Sequence, residues 1–177
     1  MTRWIHFVLA FVAIALISPP GLAHAQVVRT PATAPILGAT IRGSSATTFS
    51  ISTSGTVTRT SGNAIRLSSA SVTTPTISLN CGVLNLSGLC ALRYMRVTIT
   101  PVSGGQAAIT KFRIANLSGA TYRTGSAPAE AASLMFDLNP LGLTATASFT
   151  LAMDMTLAAN APSGAYTFDY VVTIQLV

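Results

Sequence analysis

The sequence predicts a single antiparallel β-sandwich, immunoglobulin-like or pilin-like, and three observations predict it. Apolar residues recur with period two rather than 3.6, and short clusters of Gly, Ser, Asn and Pro punctuate the chain. Ser, Thr, Val, Ile and Ala dominate a composition in which only 8% of residues are charged. Low charge and repeated apolar alternation argue against the disorder that a Ser/Thr/Gly-rich chain would otherwise suggest.

The chain opens on Met1-Thr2-Arg3, continues in a mostly apolar run from Trp4 to Ile17, and reaches Ser18-Pro19-Pro20 and the small-x-small end Ala23-His24-Ala25. This is the layout of a cleaved signal peptide spanning residues 1–25. The apolar run of about 14 residues is shorter than the ~20 that a membrane-spanning helix needs, and a helix-breaking proline pair follows it. Cleavage before Gln26 is expected to export the chain to the periplasm or cell surface of a Gram-negative bacterium, with no stable membrane span in the mature protein. No cysteine follows the cut, so a lipid anchor is not expected. Residues 26–36 read as a flexible segment or a possible donor strand, and residues 37–177 as the sandwich domain.

The elements follow in chain order. Strand candidates run over Leu37–Arg42, Thr47–Thr53, Gly55–Thr60, Ala64–Ser68 and Val72–Asn80. In the next, Met95, Val97 and Ile99 alternate with Tyr94, Arg96 and Thr98, and Ser103-Gly104-Gly105 separates it as a turn from a segment where Phe112 and Ile114 alternate with Lys111 and Arg113. Pro128–Ala132 suits one helical turn, with proline at its first position, and Ser133–Leu138 is a further strand. Phe149, Leu151, Met153, Met155 and Leu157 then share one face. Tyr166, Phe168, Tyr170, Val172, Ile174 and Leu176 share one face of a closing strand. These last two are expected to pair antiparallel across the connection 158–164. The tetrad Asn-Leu-Ser-Gly occurs at 85–88 and 116–119 and reads as reused turn chemistry. A closed outer-membrane barrel is the rival architecture, but the aromatics are scattered rather than set in girdles.

Cys81 and Cys90 are the two cysteines. Export places them in an oxidising compartment, where they are expected to form a disulfide stapling the base of a hairpin-like loop, worth roughly 2 to 3 kcal/mol by loop entropy. A four-ligand metal site needs more donors than two cysteines supply.

Both histidines, His6 and His24, lie in the leader, as does Trp4. The mature chain thus lacks the usual general base for Ser-His-Asp or Cys-His chemistry and the usual zinc ligand. Four acids remain, and Asp154 and Asp169 occupy polar slots of alternating strands, where solvent-facing charge blunts sheet association. A non-enzymatic protein without cofactors is the expectation. Ten Lys and Arg against four Asp and Glu make the precursor basic, with a formal charge of +6, yet the cations form no run and few aromatics adjoin them. Nucleic acid is therefore not an expected partner.

The stretch Pro162-Ser163-Gly164-Ala165-Tyr166-Thr167 leading into Val171-Val172-Thr173-Ile174 resembles the closing strand of secreted bacterial fimbrial-subunit-like and spore-coat-U-like β-sandwich families. The resemblance implies assembly into pili or surface layers, self-association or contact with other surface subunits, strand donation between subunits, and help from a periplasmic chaperone. By that analogy residues 26–36 are the donor, with Val28, Thr30, Ala32, Ala34 and Ile36 at alternate positions and Pro31 and Pro35 interrupting the hydrogen-bonding side. Two features depart from the fimbrial pattern: the close spacing of Cys81 and Cys90, and a terminus Gln175-Leu176-Val177 without a near-terminal tyrosine. The function expected is a structural or adhesive subunit of a surface assembly. The alternative is a soluble module binding a glycan or protein through Tyr94, Tyr122 and the scattered arginines.

Overall fold

In the computed structural model, which describes residues 25–81, 89–102, 104–142 and 145–177, the chain is all-β and every strand pair is antiparallel. The strands are β1 (Gln26–Thr30), β2 (Ile36–Ile41), β3 (Thr47–Ile51), β4 (Val57–Ser61), β5 (Ile65–Arg66), β6 (Thr76–Asn80), β7 (Met95–Pro101), β8 (Ala107–Ser118), β9 (Leu134–Leu138), β10 (Thr146–Leu157), β11 (Gly164–Thr167) and β12 (Tyr170–Leu176). One four-residue helix, α1 (Leu89–Leu92), precedes β7.

Three sheets share one core. The largest has the order β1-β6-β10-β3-β4 with β8 also on β10; the others are β11-β2-β5 and β12-β7-β9. Strand β10 organises the first. Its residues Thr146–Thr150 pair with β6, Met153–Leu157 pair with β3, and β8 runs along nearly its whole length. The handover between β6 and β3 falls at Pro75, which has no N–H to donate and instead accepts the Leu151 N–H at 3.0 Å. Leu151, Ala152 and Met153 are all buried at that point.

The core draws on every sheet: Leu37 from β2, Phe49 from β3, Ile77 from β6, Val97 from β7, Phe136 from β9 and Phe149 from β10. Edge-to-face ring contacts tie the largest sheet to β12-β7-β9, Phe136 to Phe149 at 5.8 Å and Phe112 to Tyr170 at 6.0 Å. This arrangement is consistent with a sandwich. At the β3–β4 turn Gly55 takes φ +81°, and a Cβ there would sit 2.0 Å from the Val72 carbonyl oxygen, so only glycine fits.

Several expectations change. The period-two pattern from Tyr166 to Leu176 holds in the burial of alternate residues, but the chain breaks at Phe168-Asp169. β11 pairs with β2 whereas β12 pairs with β7. The expected pairing of the closing strand with β10 is therefore wrong, because residues 158–164 carry the chain to a different sheet. Likewise β7 and β8 are not partners across Gly104-Gly105, and β6 and β7 lie in different sheets and do not pair with each other. Pro128–Ala132 is not helical; Ala131 instead forms an isolated bridge to Phe112. Residues 26–30, inside the segment read as flexible or strand-donating, form β1 on β6 of the same chain.

The second Asn-Leu-Ser-Gly tetrad lies largely within β8. Asn116 has φ +55° where Ser148 and Thr150 face Ser118 and Ala115, making it the extra residue of a bulge. The signal peptide expected over 1–25, apart from Ala25, and the first tetrad lie outside the described residues. So does the Cys90 side chain. Cys81 is buried and is not free.

The Tyr170 hydroxyl is buried with no hydrogen-bond partner among the described residues, and burial pushes the phenol up to about 12. Such a group costs about 1 to 3 kcal/mol. Tyr170→Phe keeps the ring contacts with Phe112 and Arg29 and is expected to raise the unfolding free energy by about 1 kcal/mol in urea titrations. A loss of stability would show that the hydroxyl is satisfied.

Candidate functional site

A β-rich chain with few charges faces one physical problem, the strand edges that its sheets leave unpaired. Among the described residues, each edge except one carries a recognisable defence along its length. The free side of β8 is crossed by residues 130–131: the Phe112 N–H donates to the Ala131 carbonyl at 2.8 Å, while Lys111 and Arg113 hold the Glu130 carboxylate at 3.4 and 3.8 Å. The free side of β9 is covered by residues 121–123, with Arg123 N–H to Asp137 C=O at 2.9 Å and Asn139 N–H to Thr121 C=O at 3.0 Å. β1 is short and stops at Pro31.

The edges β4 and β5 carry inward charge. Arg59 lies opposite buried Phe49, and Arg66 lies opposite buried Thr40, so both occupy core-facing positions. Together they line a cleft of about 590 Å³ over Phe49, Val57 and Ala64. Arg66 is locked there by donating to the carbonyls of Leu37, Ser68 and Ala70 at 2.6 to 2.7 Å. Inward arginines of this kind discourage strand addition. β11 is only four residues long, and its register on β2 is broken by a shift.

Among the described residues β12 has such cover only at its first position, where the Tyr170 N–H donates to the Asp169 carboxylate at 2.8 Å and the Tyr170 carbonyl accepts from Arg29 at 3.3 Å. Its seven residues Tyr-Val-Val-Thr-Ile-Gln-Leu contain no charge, proline or glycine, and they run in unbroken register along β7. No strand pairs with its other side among the described residues. The Val102 N–H donates to the Asp169 carbonyl and the Val177 N–H to the Tyr94 carbonyl, both at 2.9 Å. Odd-numbered residues therefore bond β7, and by the alternation of an antiparallel ladder the N–H and C=O groups of Val172, Ile174 and Leu176 point away from it. The side chains tell the same story. Met95, Val97 and Ile99 on the inner face of β7 are fully buried, whereas Val172, Ile174 and Leu176 beside them are only half-buried.

The charges elsewhere act as tethers. Asp137 accepts from Arg96 at 2.9 and 3.1 Å and from Arg123 at 3.3 Å; Asp154 accepts from Arg113 at 2.7 Å; Asp169 accepts from Arg29 at 3.0 Å. Asp154, expected to face solvent, has only 14% of its side chain exposed and sits under Arg113. The aromatic candidates are occupied: the Arg123 guanidinium lies 4.0 Å over the Tyr94 ring, and Tyr122 meets Phe136 edge-on at 5.8 Å. The assigned carboxylates are thus ion-pair partners. The β12 edge itself was missed by sequence reasoning, although the uncharged run after Asp169 was the available signal.

Comparison with known proteins returns no match: no family model fits the chain, and neither a curated protein nor a solved structure is significantly similar to it.

The Arg96 hydrogen bonds hold the Asp137 carboxyl below the usual range, and the Arg29 hydrogen bond does the same for Asp169. For Asp154 burial pushes upward, but hydrogen bonds from Arg113 and Ser50 bring it below its ordinary value. Folded values below the unfolded value of about 3.9 mean that these carboxylates stabilise fully above that value, and that the contribution fades as pH falls through the folded values. Urea midpoints are expected to hold between about pH 7 and pH 5 and to drop below about pH 4, with Asp154→Asn reducing the drop. A midpoint that rises on acidification would contradict the ion-pair assignment.

Proposed function

We propose that this chain is an exported, non-enzymatic structural or adhesive subunit of a surface assembly, built as an immunoglobulin-like or pilin-like sandwich and joined to its neighbours through the free edge of β12. The observation that carries the reading is that the β12 edge beyond Tyr170 has no defence among the described residues while its inner side chains Val172, Ile174 and Leu176 are left half-buried. Outward-facing amide and carbonyl groups beside an incomplete apolar face are what an added strand satisfies, the backbone supplying affinity and the side chains register. The low charge of the whole chain fits the same purpose.

Export explains the rest of the composition. In the periplasm the Cys81–Cys90 pair would close a bridge between β6 and α1, and an open edge of this kind would need a chaperone or a partner to cover it before assembly. The acceptor lies at the C-terminal strand, while β1, the segment resembling a donor, is engaged by β6 of its own chain. Assembly by this reading adds a strand to an edge and does not require β1 to leave.

Two outcomes follow for the oxidised chain 26–177. Size-exclusion chromatography with light scattering is expected to show a mass that rises with concentration, and Ile174→Pro is expected to abolish that rise, since it removes an outward N–H without touching the β7 ladder. Oligomers that persist in Ile174→Pro would sink the reading. Reduction of the bridge is expected to lower the unfolding free energy by roughly 2 to 3 kcal/mol; an unchanged urea midpoint would show that no bridge forms.

A further inference from the structure

We infer that the partner of the β12 edge is the β12 edge of a second copy of this chain, paired antiparallel about a two-fold axis at Ile174. The inference rests on the proposed role of β12 in assembly and specifies its partner. Its basis is the self-complementarity of the strand. The outward backbone groups belong to the even-numbered residues, so an antiparallel copy must set even against even to form hydrogen-bonded pairs.

Tyr170 is already engaged, its N–H by the Asp169 carboxylate at 2.8 Å and its carbonyl by the Arg29 guanidinium at 3.3 Å, so Val172, Ile174 and Leu176 set the register. Placing Ile174 on the axis sets it against its own copy and sets Val172 against Leu176 of the second copy, the latter pair occurring twice by symmetry. This register uses all three residues; any other even register leaves at least one of them unpaired. The inner faces then meet apolar against apolar, covering the half-buried Val172, Ile174 and Leu176. On the outer face Thr173 meets Gln175 of the second copy in a non-hydrogen-bonded pair. β12 brings no charge to this contact, so like does not oppose like across the axis. Such an isologous contact closes at two copies and merges two three-stranded sheets into one of six, β9-β7-β12-β12-β7-β9. The pair is then the building unit, and growth beyond it uses other surfaces.

The register makes a sharp test. Directly opposed residues of a non-hydrogen-bonded pair lie about 4.5 Å apart at Cα, inside the range that a disulfide spans. Thr173 and Gln175 are both exposed, so a cysteine at either is not expected to disturb folding. Under mild oxidation the double variant Thr173→Cys/Gln175→Cys is expected to convert to a covalent dimer of twice the mass on non-reducing gels. Thr173→Cys and Gln175→Cys alone should stay monomeric on those gels. Equal cross-linking of the single and double variants, or none by the double variant, would overturn the two-fold register. Read beside Ile174→Pro the failures separate. A chain that Ile174→Pro turns monomeric but that Thr173→Cys/Gln175→Cys leaves uncross-linked keeps the edge and loses this partner geometry. A chain whose oligomers survive Ile174→Pro loses both.

Discussion

The two-sided hydrogen bonding of β10 is the constraint on which the rest of the architecture hangs. A twelve-residue strand paired along both sides cannot be displaced without breaking three ladders, to β6, β3 and β8. Its alternate residues Phe149, Leu151, Met153, Met155 and Leu157 are all buried and provide the floor on which the other sheets rest. Because Pro75 ends the β6 ladder where Ile51 begins the β3 ladder, one edge serves two strands that are far apart in sequence. That division sends β3 and β4 toward one end of the molecule and β1 and β6 toward the other.

The acids are placed accordingly. Each of the four meets a cation across a structural junction: Glu130 between the strap 130–131 and β8, Asp154 across β8 and β10, Asp137 across β7 and β9, and Asp169 across the start of β12 and β1. Isolated exposed pairs contribute little, typically 0 to about 1 kcal/mol each, so their value here lies in geometry. They hold the straps 121–123 and 130–131 over two edges and fix Arg29 over the Tyr170 ring at 5.0 Å. With every acid spent on a junction, none is left to repel a strand approaching β12.

Much of the fold was legible because period two is a local property. β7, β8 and β10 fall where alternation places them, since inner and outer positions follow from the pleat alone, and the other candidate segments from Leu37 to Leu138 each overlap a strand. Partnership was not legible. Neighbouring strands in sequence pair often enough to make hairpins the natural expectation, yet Gly104-Gly105 and residues 158–164 both lead from one sheet to another. Nothing in their composition distinguishes a tight hairpin from a crossover. The break at Phe168-Asp169 was hidden for a related reason. Burial continues to alternate straight through it, so the side-chain pattern carries no trace of the change of partner from β2 to β7.

That change of partner is also what creates the candidate site. At the break the Phe168 N–H donates to the Pro35 carbonyl at 3.1 Å, the last bond toward β2, and the Asp169 carbonyl accepts from Val102 at 2.9 Å, the first toward β7. The Asp169 carboxylate then takes the Tyr170 N–H at 2.8 Å and the Arg29 guanidinium at 3.0 Å. One side chain thus satisfies the first outward amide of β12 and anchors β1 beside it. Beyond Asp169 nothing similar recurs, and from Val172 onward the edge continues unsatisfied by any strand among the described residues. A chain that can cap its edge at residue 170 with a single carboxylate, and leaves the next three outward amides to whatever approaches, has confined its sticky surface to one strand. The strand that approaches it must be apolar on one face and free of charge, a description that β12 itself satisfies.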